Sequence, residues 1–158
     1  MSGFVIDLAA LGQGFNRVEV RSAAAALDLP EPGWPGEVRA ELDLERNGDT
    51  ITVRGRVQAV ARLECVRCLR AFECPIDVER TILADRAGRG RRVEEELLER
   101  DHEMLFHDGR QLDLREETRE ALLLEVPMAA RCSEDCKGLC LRCGADLNQG
   151  AHACPVSP

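Results

Sequence analysis

Eight of the 158 residues are cysteines, and most of them are spaced as ligands are. Cys65-x2-Cys68 stands in mid-chain, whereas Cys132-x3-Cys136 and Cys140-x2-Cys143-Gly144 crowd together near the end, with His152 and Cys154 just beyond. A CxxC pair places two thiolates on one turn, within reach of one ion, and the glycine after Cys143 lets backbone amides bend back toward the sulfurs. Zinc is therefore the expected cofactor. Two assemblies meet its need for four ligands. In the first, Cys132, Cys136, Cys140 and Cys143 close one local site and leave the early pair free, which proximity in the chain favours. In the second, Cys65 and Cys68 join Cys132 and Cys136, while Cys140, Cys143, His152 and Cys154 form another site. The second would tie the tail to the body by closing a loop of more than sixty residues. Cys74 lacks a partner at a useful spacing and reads as a small buried apolar residue.

Other uses of these thiols fit less well. The start of the chain has no basic stretch followed by an apolar one, so a reducing, cytoplasmic setting is expected rather than a disulfide framework. A thiol-disulfide oxidoreductase would place its CxxC at a helix N-terminus, but no helical pattern follows Cys68. GxSxG, P-loop, GxGxxG and HExxH patterns are missing, which argues against an enzyme and a small-molecule substrate. His102 and His107 read as surface residues, and the Glu94 to Glu96 run as a solvated face.

The composition is globular, with 44% hydrophobic, 32% charged and only 3% aromatic residues, so the core must be aliphatic. No run approaches a membrane span. The net charge of -8 is unevenly spread: residues 51 to 92 carry ten basic and five acidic side chains between acidic flanks. Twenty of the 21 basic residues are arginines. Arg54, Arg56, Arg62, Arg67 and Arg70, with Arg86, Arg89, Arg91 and Arg92, would form one RNA-binding face if the strand and loop bearing them share a side. Scattered solubilising arginines are the plainer alternative.

These residues need a scaffold. Apolar residues fall on even positions in 38–44 and on odd positions in 51–63, which predicts two antiparallel strands joined at Asn47-Gly48. Strands are also expected at 4–8, 17–20 and 75–83, and a strand, Asp-Gly turn and return at 103–114. Trp34, in the turn-rich 30–36 loop, reads as a plug over a sheet edge. Asp113 is placed to cap a helix whose stripe is Leu114, Thr118, Ala121, Leu122 and Val126 and which stops before Pro127. The expected class is α+β: a mainly antiparallel sheet, barrel-like if its edges meet, with one principal helix. A core domain of residues 1–128 would carry a Cys-rich zinc-knuckle tail, 129–158, packed on or near it.

Three stretches, 63–78 (LECVRCLRAFECPIDV), 113–128 (DLREETREALLLEVPM) and 132–148 (CSEDCKGLCLRCGADLN), resemble the YceD family of bacterial and plastid proteins. The resemblance implies a non-enzymatic factor for accumulation or processing of the large (23S) ribosomal RNA during subunit assembly. It implies as partner that RNA, a basic large-subunit ribosomal protein, or both, with no membrane involved. A purely structural adaptor binding through its arginines is a further reading. Where the family tail often ends in Cys-x-Cys, this chain has His152-Ala153-Cys154, and histidine replaces thiolate on zinc.

Overall fold

The computed structural model describes residues 3–30, 33–88 and 103–154. Arg89, Arg91, Arg92, His102 and Glu94 to Glu96 lie outside those residues.

The alternating segments form the predicted hairpin, β3 (Glu37–Asn47) and β4 (Thr50–Glu64), with Leu44 opposite Val53 and Ala40 opposite Val57. Its tip is Gly48-Asp49 rather than Asn47-Gly48: Asn47 pairs with Thr50, and Gly48 alone takes a positive φ, 66°. One left-handed residue at the first central position suffices for a tight turn of the right twist. β5 (Ala71–Arg86) returns along the whole of β4. β2 (Gly14–Ala23), longer than its short apolar pattern predicts, pairs with β3, and β6 (Glu103–His107) joins β5 in parallel. The five-stranded order β2-β3-β4-β5-β6 is open, so the barrel-like form is not reached.

After β6, Asp108 accepts hydrogen bonds from the amides of Arg110 and Gln111 and turns the chain. The return strand, β7 (Gln111–Asp113), then pairs with β1 (Val5–Asp7) instead of β6, because Leu112 buries itself opposite Ile6. The principal helix α1 (Arg115–Glu125) follows. Leu114 occupies its N-cap; Asp113, one residue earlier, still accepts from the Arg115 amide at 3.1 Å. Thr118, Ala121 and Leu122 face inward onto the inner side of the sheet, as the stripe predicts. That side is aliphatic, and Gly55 makes room in it: a Cβ there would lie 2.5 Å from Leu42 Cδ2.

Two isolated residues find roles. Trp34 is buried, and beside it Gly33 accepts the Arg62 amide at 2.6 Å, covering the edge of β4 where β3 no longer pairs with it. His107 is not a surface residue. It is buried, with Nδ1 accepting from the Gly109 amide at 3.0 Å, which leaves Nε2 to donate to the Asp49 carbonyl at 2.7 Å. The imidazole pins β6 to the hairpin tip. Among the described residues no helix is long and apolar enough to cross a membrane.

Candidate metal centres

Beyond Gln58, β4 leaves β3 and continues with β5 alone to Glu64 and Ala71. This two-stranded extension carries the first cysteine pair away from the main core. At its end Leu69 donates its amide to the Cys65 carbonyl at 2.9 Å, and Cys65 donates to the Arg70 carbonyl at 2.9 Å. The late pair is folded in the same way: Gly144 donates to Cys140 O and Cys140 to Ala145 O, both at 2.8 Å. The residue after the second cysteine is left-handed in each turn, with φ 60° at Leu69 and 75° at Gly144. The glycine was legible in the sequence; a leucine in that conformation was not.

The two turns contribute to separate groups of ligand atoms. Cys65, Cys68, Cys132 and Cys136 form an inner group, and Cys140, Cys143, His152 and Cys154 an outer one. Within each, the ligand atoms lie within 4.8 Å of one another. This is the second of the two assemblies; the local one, favoured by proximity, does not form. The chain leaves α1, and Ala130 accepts the Val66 amide at 2.9 Å, which lays the tail against the first knuckle. Cys74, partly buried against the main core, belongs to neither group.

Geometry and chemistry suit a tetrahedral ion. Metal–sulfur bonds of about 2.3 Å imply sulfur–sulfur edges of about 3.8 Å. The inner group has Cys65–Cys136 at 3.8 Å and Cys68–Cys132 at 3.6 Å; the outer has Cys140–Cys154 at 3.9 Å and Cys143 Sγ to His152 Nε2 at 3.2 Å. None of the eight cysteines is in a disulfide. Amides of Cys132 and Cys68 pull the Cys65 thiol down to about 6, and those of Cys143 and Arg142 do the same for Cys140. Burial, together with the neighbouring thiols, pushes Cys132 up to about 12. Cys65 and Cys140 are thus the thiols most readily ionised, while Cys132 resists ionising without a cation, as expected of ligands that release protons on metal uptake.

The sequence profile described as "Large ribosomal RNA subunit accumulation protein YceD" matches residues 53–158, a span containing both groups. The chain belongs to this family. It is 29% identical over 155 residues to an uncharacterized protein of Mycobacterium leprae (strain TN), covering 93% of this chain and 69% of that protein. It is 26% identical over 177 residues to the "Large ribosomal RNA subunit accumulation protein YCED homolog 1, chloroplastic" of Zea mays, covering 96% of this chain and 59% of the maize protein. No solved structure matches.

Among the described residues, the candidate arginines of this YceD chain lie at three places. Arg54, Arg56 and Arg62 project from the outer side of β4, where Arg56 pairs with Asp77 at 2.6 Å and Arg62 with Glu73 at 3.7 Å. Arg86 lies at the other end of the ladder beside Asp49, at 3.8 Å. Arg67 and Arg70 are engaged in holding the tail: Arg67 donates to the Cys136 carbonyl at 2.9 Å, and Arg70 pairs with Asp146 at 3.3 Å. Sequence reasoning gave Asp146 and Asn148 no role. Both sit in the short 3-10 turn Leu147–Gln149 and its cap, between outer ligands Cys143 and His152.

Proposed function

We propose that this chain is a non-enzymatic factor supporting accumulation of large-subunit ribosomal RNA during assembly of the large ribosomal subunit, stabilised by two structural zinc ions. The observation that carries the reading is the completeness of each ligand group. Structural zinc sites are closed by four protein ligands, whereas catalytic ones keep a position open for water or substrate. Here the closed groups join segments of the region that carries the family match. Grouping in fours also argues against a two-thiol redox pair.

Charge bears on the partner. Outward positions of β2 to β5 carry Arg17, Arg21, Arg39, Arg54, Arg56 and Arg62 against Glu19, Glu37, Glu41, Asp43, Glu45, Glu64, Glu73, Asp77 and Glu79. Phosphate contacts supply most affinity for RNA, and a sheet face with more carboxylates than guanidiniums provides few. A basic protein of the large subunit, met in the cytoplasm, is the partner this face favours.

Depletion of the protein, followed by profiling of ribosomal particles, tests the function. A fall in large-subunit particles and their RNA relative to the small subunit is expected; an unchanged ratio overturns the proposal. Native mass spectrometry of the reduced protein should show two zinc ions, and a metal-free protein that folds equally well in chelator overturns the structural role.

A further inference from the structure

The outer group's loop reaches back to touch the inner group, and one side chain makes the contact. Asn148 lies between Cys143 and His152 in sequence, yet its Nδ2 donates to Cys136 Sγ, an inner ligand, at 3.4 Å. The orientation of its amide is fixed by its neighbours. Oδ1 accepts the Lys137 amide at 2.8 Å, while Nδ2 also donates to Asp146 Oδ1 at 2.8 Å. Asp146 in turn accepts the Asn148 amide at 2.9 Å and pairs with Arg70, whose carbonyl closes the Cys65 knuckle. Leu147 donates to the Gly138 carbonyl at 2.9 Å, two residues past Cys136.

Resting on the two-ion reading above, we propose that Asn148 is a positioning residue that couples the two centres. Filling the outer one orders the 144–152 loop and delivers the N–H···S bond that tightens the inner one. The physical argument has two parts. A thiolate that accepts an N–H donor is stabilised in its charged, metal-binding form, and removing such outer partners typically weakens metal affinity about 10- to 100-fold. The donor here is borne by a loop that the outer ligands flank and that a bridge from Asp146 to Leu139 ties to the segment just after Cys136: its turn is three residues long and exposes Asn148 and Gln149. Ordering that loop once, for the outer ion, spares the inner ion the cost, and linkage makes the coupling reciprocal.

Cobalt(II) titration of the reduced, metal-free full chain reads both centres, because four-sulfur and three-sulfur, one-nitrogen sites have different absorption spectra. Asn148→Ala should lower inner-site affinity about 10- to 100-fold while the outer spectrum keeps its intensity. Asn148→Asp keeps the acceptor for Lys137 and places a carboxylate near Cys136, so it should lower affinity further with the fold retained by circular dichroism. Disabling the outer group with Cys143→Ser and His152→Ala should weaken the inner site in the native background and add nothing in the Asn148→Ala background. Unchanged inner affinity in both Asn148 variants, or equal losses in the two backgrounds, overturns the coupling while leaving two-ion binding in place. A native chain that takes up no cobalt overturns both.

Discussion

The inner and outer ligand groups are built on the same knuckle and do different work. The inner one is buried, with Cys65, Cys68 and Cys136 nearly inaccessible, and it joins the end of the β4–β5 ladder to a tail that arrives after α1. The outer one is half-buried, and all its ligands lie within residues 140–154. Across the inner centre Cys68 meets Cys132, 64 positions away; across the outer centre Cys143 meets His152, nine positions away. Since loop-closure entropy grows as (3/2)RT ln n, an ion in the inner group would constrain the unfolded chain by about 1.7 kcal/mol more than one in the outer group. Filled, the inner group would shape the domain and the outer group a loop.

Breaking the inner group should therefore have the largest effect. Cys65→Ser with Cys68→Ser removes an ion that, at free zinc a thousandfold above its dissociation constant, contributes about 4 kcal/mol. The expected result is a clear fall in thermal midpoint and rapid protease cleavage within 129–154, with the β2–β5 sheet retained by circular dichroism. Native mass spectrometry should show the loss of at least the inner ion. Cys143→Ser with His152→Ala should cost less in the same thermal assay, by about the 1.7 kcal/mol that separates the loops. Equal losses from the two double variants would erase the distinction drawn here.

Much of this was legible in the sequence, and the boundary of legibility is physical. Period-two alternation in 38–44 and 51–63 predicts β3 and β4 because a half-buried strand has no other way to sort its side chains. The stripe through Thr118, Ala121 and Leu122 predicts α1 for the same reason. Ligand types were equally plain, but their partition was not. Spacing reports only local reach, and by that measure Cys132 belongs with Cys140. What takes Cys132 to Cys68 is the run of β4 and β5 past β3, a register fact set by fourteen consecutive cross-strand pairs. His107 escaped likewise, since its burial follows from the parallel docking of β6 beside the hairpin tip.

The matched knuckles allow a finer comparison. Leu69 and Gly144 occupy equivalent left-handed positions, and Leu69 is exposed, so little packing offsets its conformation. An L-residue there costs about 1–2 kcal/mol, against about 0.5–1 kcal/mol for the greater freedom glycine loses on folding. Leu69→Gly should raise the thermal midpoint by a few degrees, and Gly144→Ala should lower the outer site's metal affinity without moving that midpoint much. A destabilising Leu69→Gly would mean that the leucine makes contacts outweighing its strain.

The smallest effect is expected where arginines look most alike. Arg56 on the sheet and Arg70 at the first knuckle each pair with an aspartate, Asp77 and Asp146, in bonds longer by 0.7 Å at the knuckle (2.6 against 3.3 Å). Judged by distance alone, the sheet pair should matter more. It faces solvent on both sides, however, where ion pairs are screened and contribute little, whereas the Arg70–Asp146 pair fastens the tail's clamp to the knuckle. Arg56→Ala should leave the thermal midpoint unchanged within error, and Arg70→Ala should raise the rate of zinc loss to chelator. The pH dependence supports the same division. Arg56, then Gln58, hold the Asp77 carboxyl below its usual 3.8, so the pair's contribution is complete above that value and is lost only as pH falls through the lowered one. An ion pair this exposed contributes little even where its contribution is complete, so Asp77→Asn should leave neutral-pH stability nearly unchanged, and a measured loss there would show that the outer sheet face supports the fold as well as displaying charge.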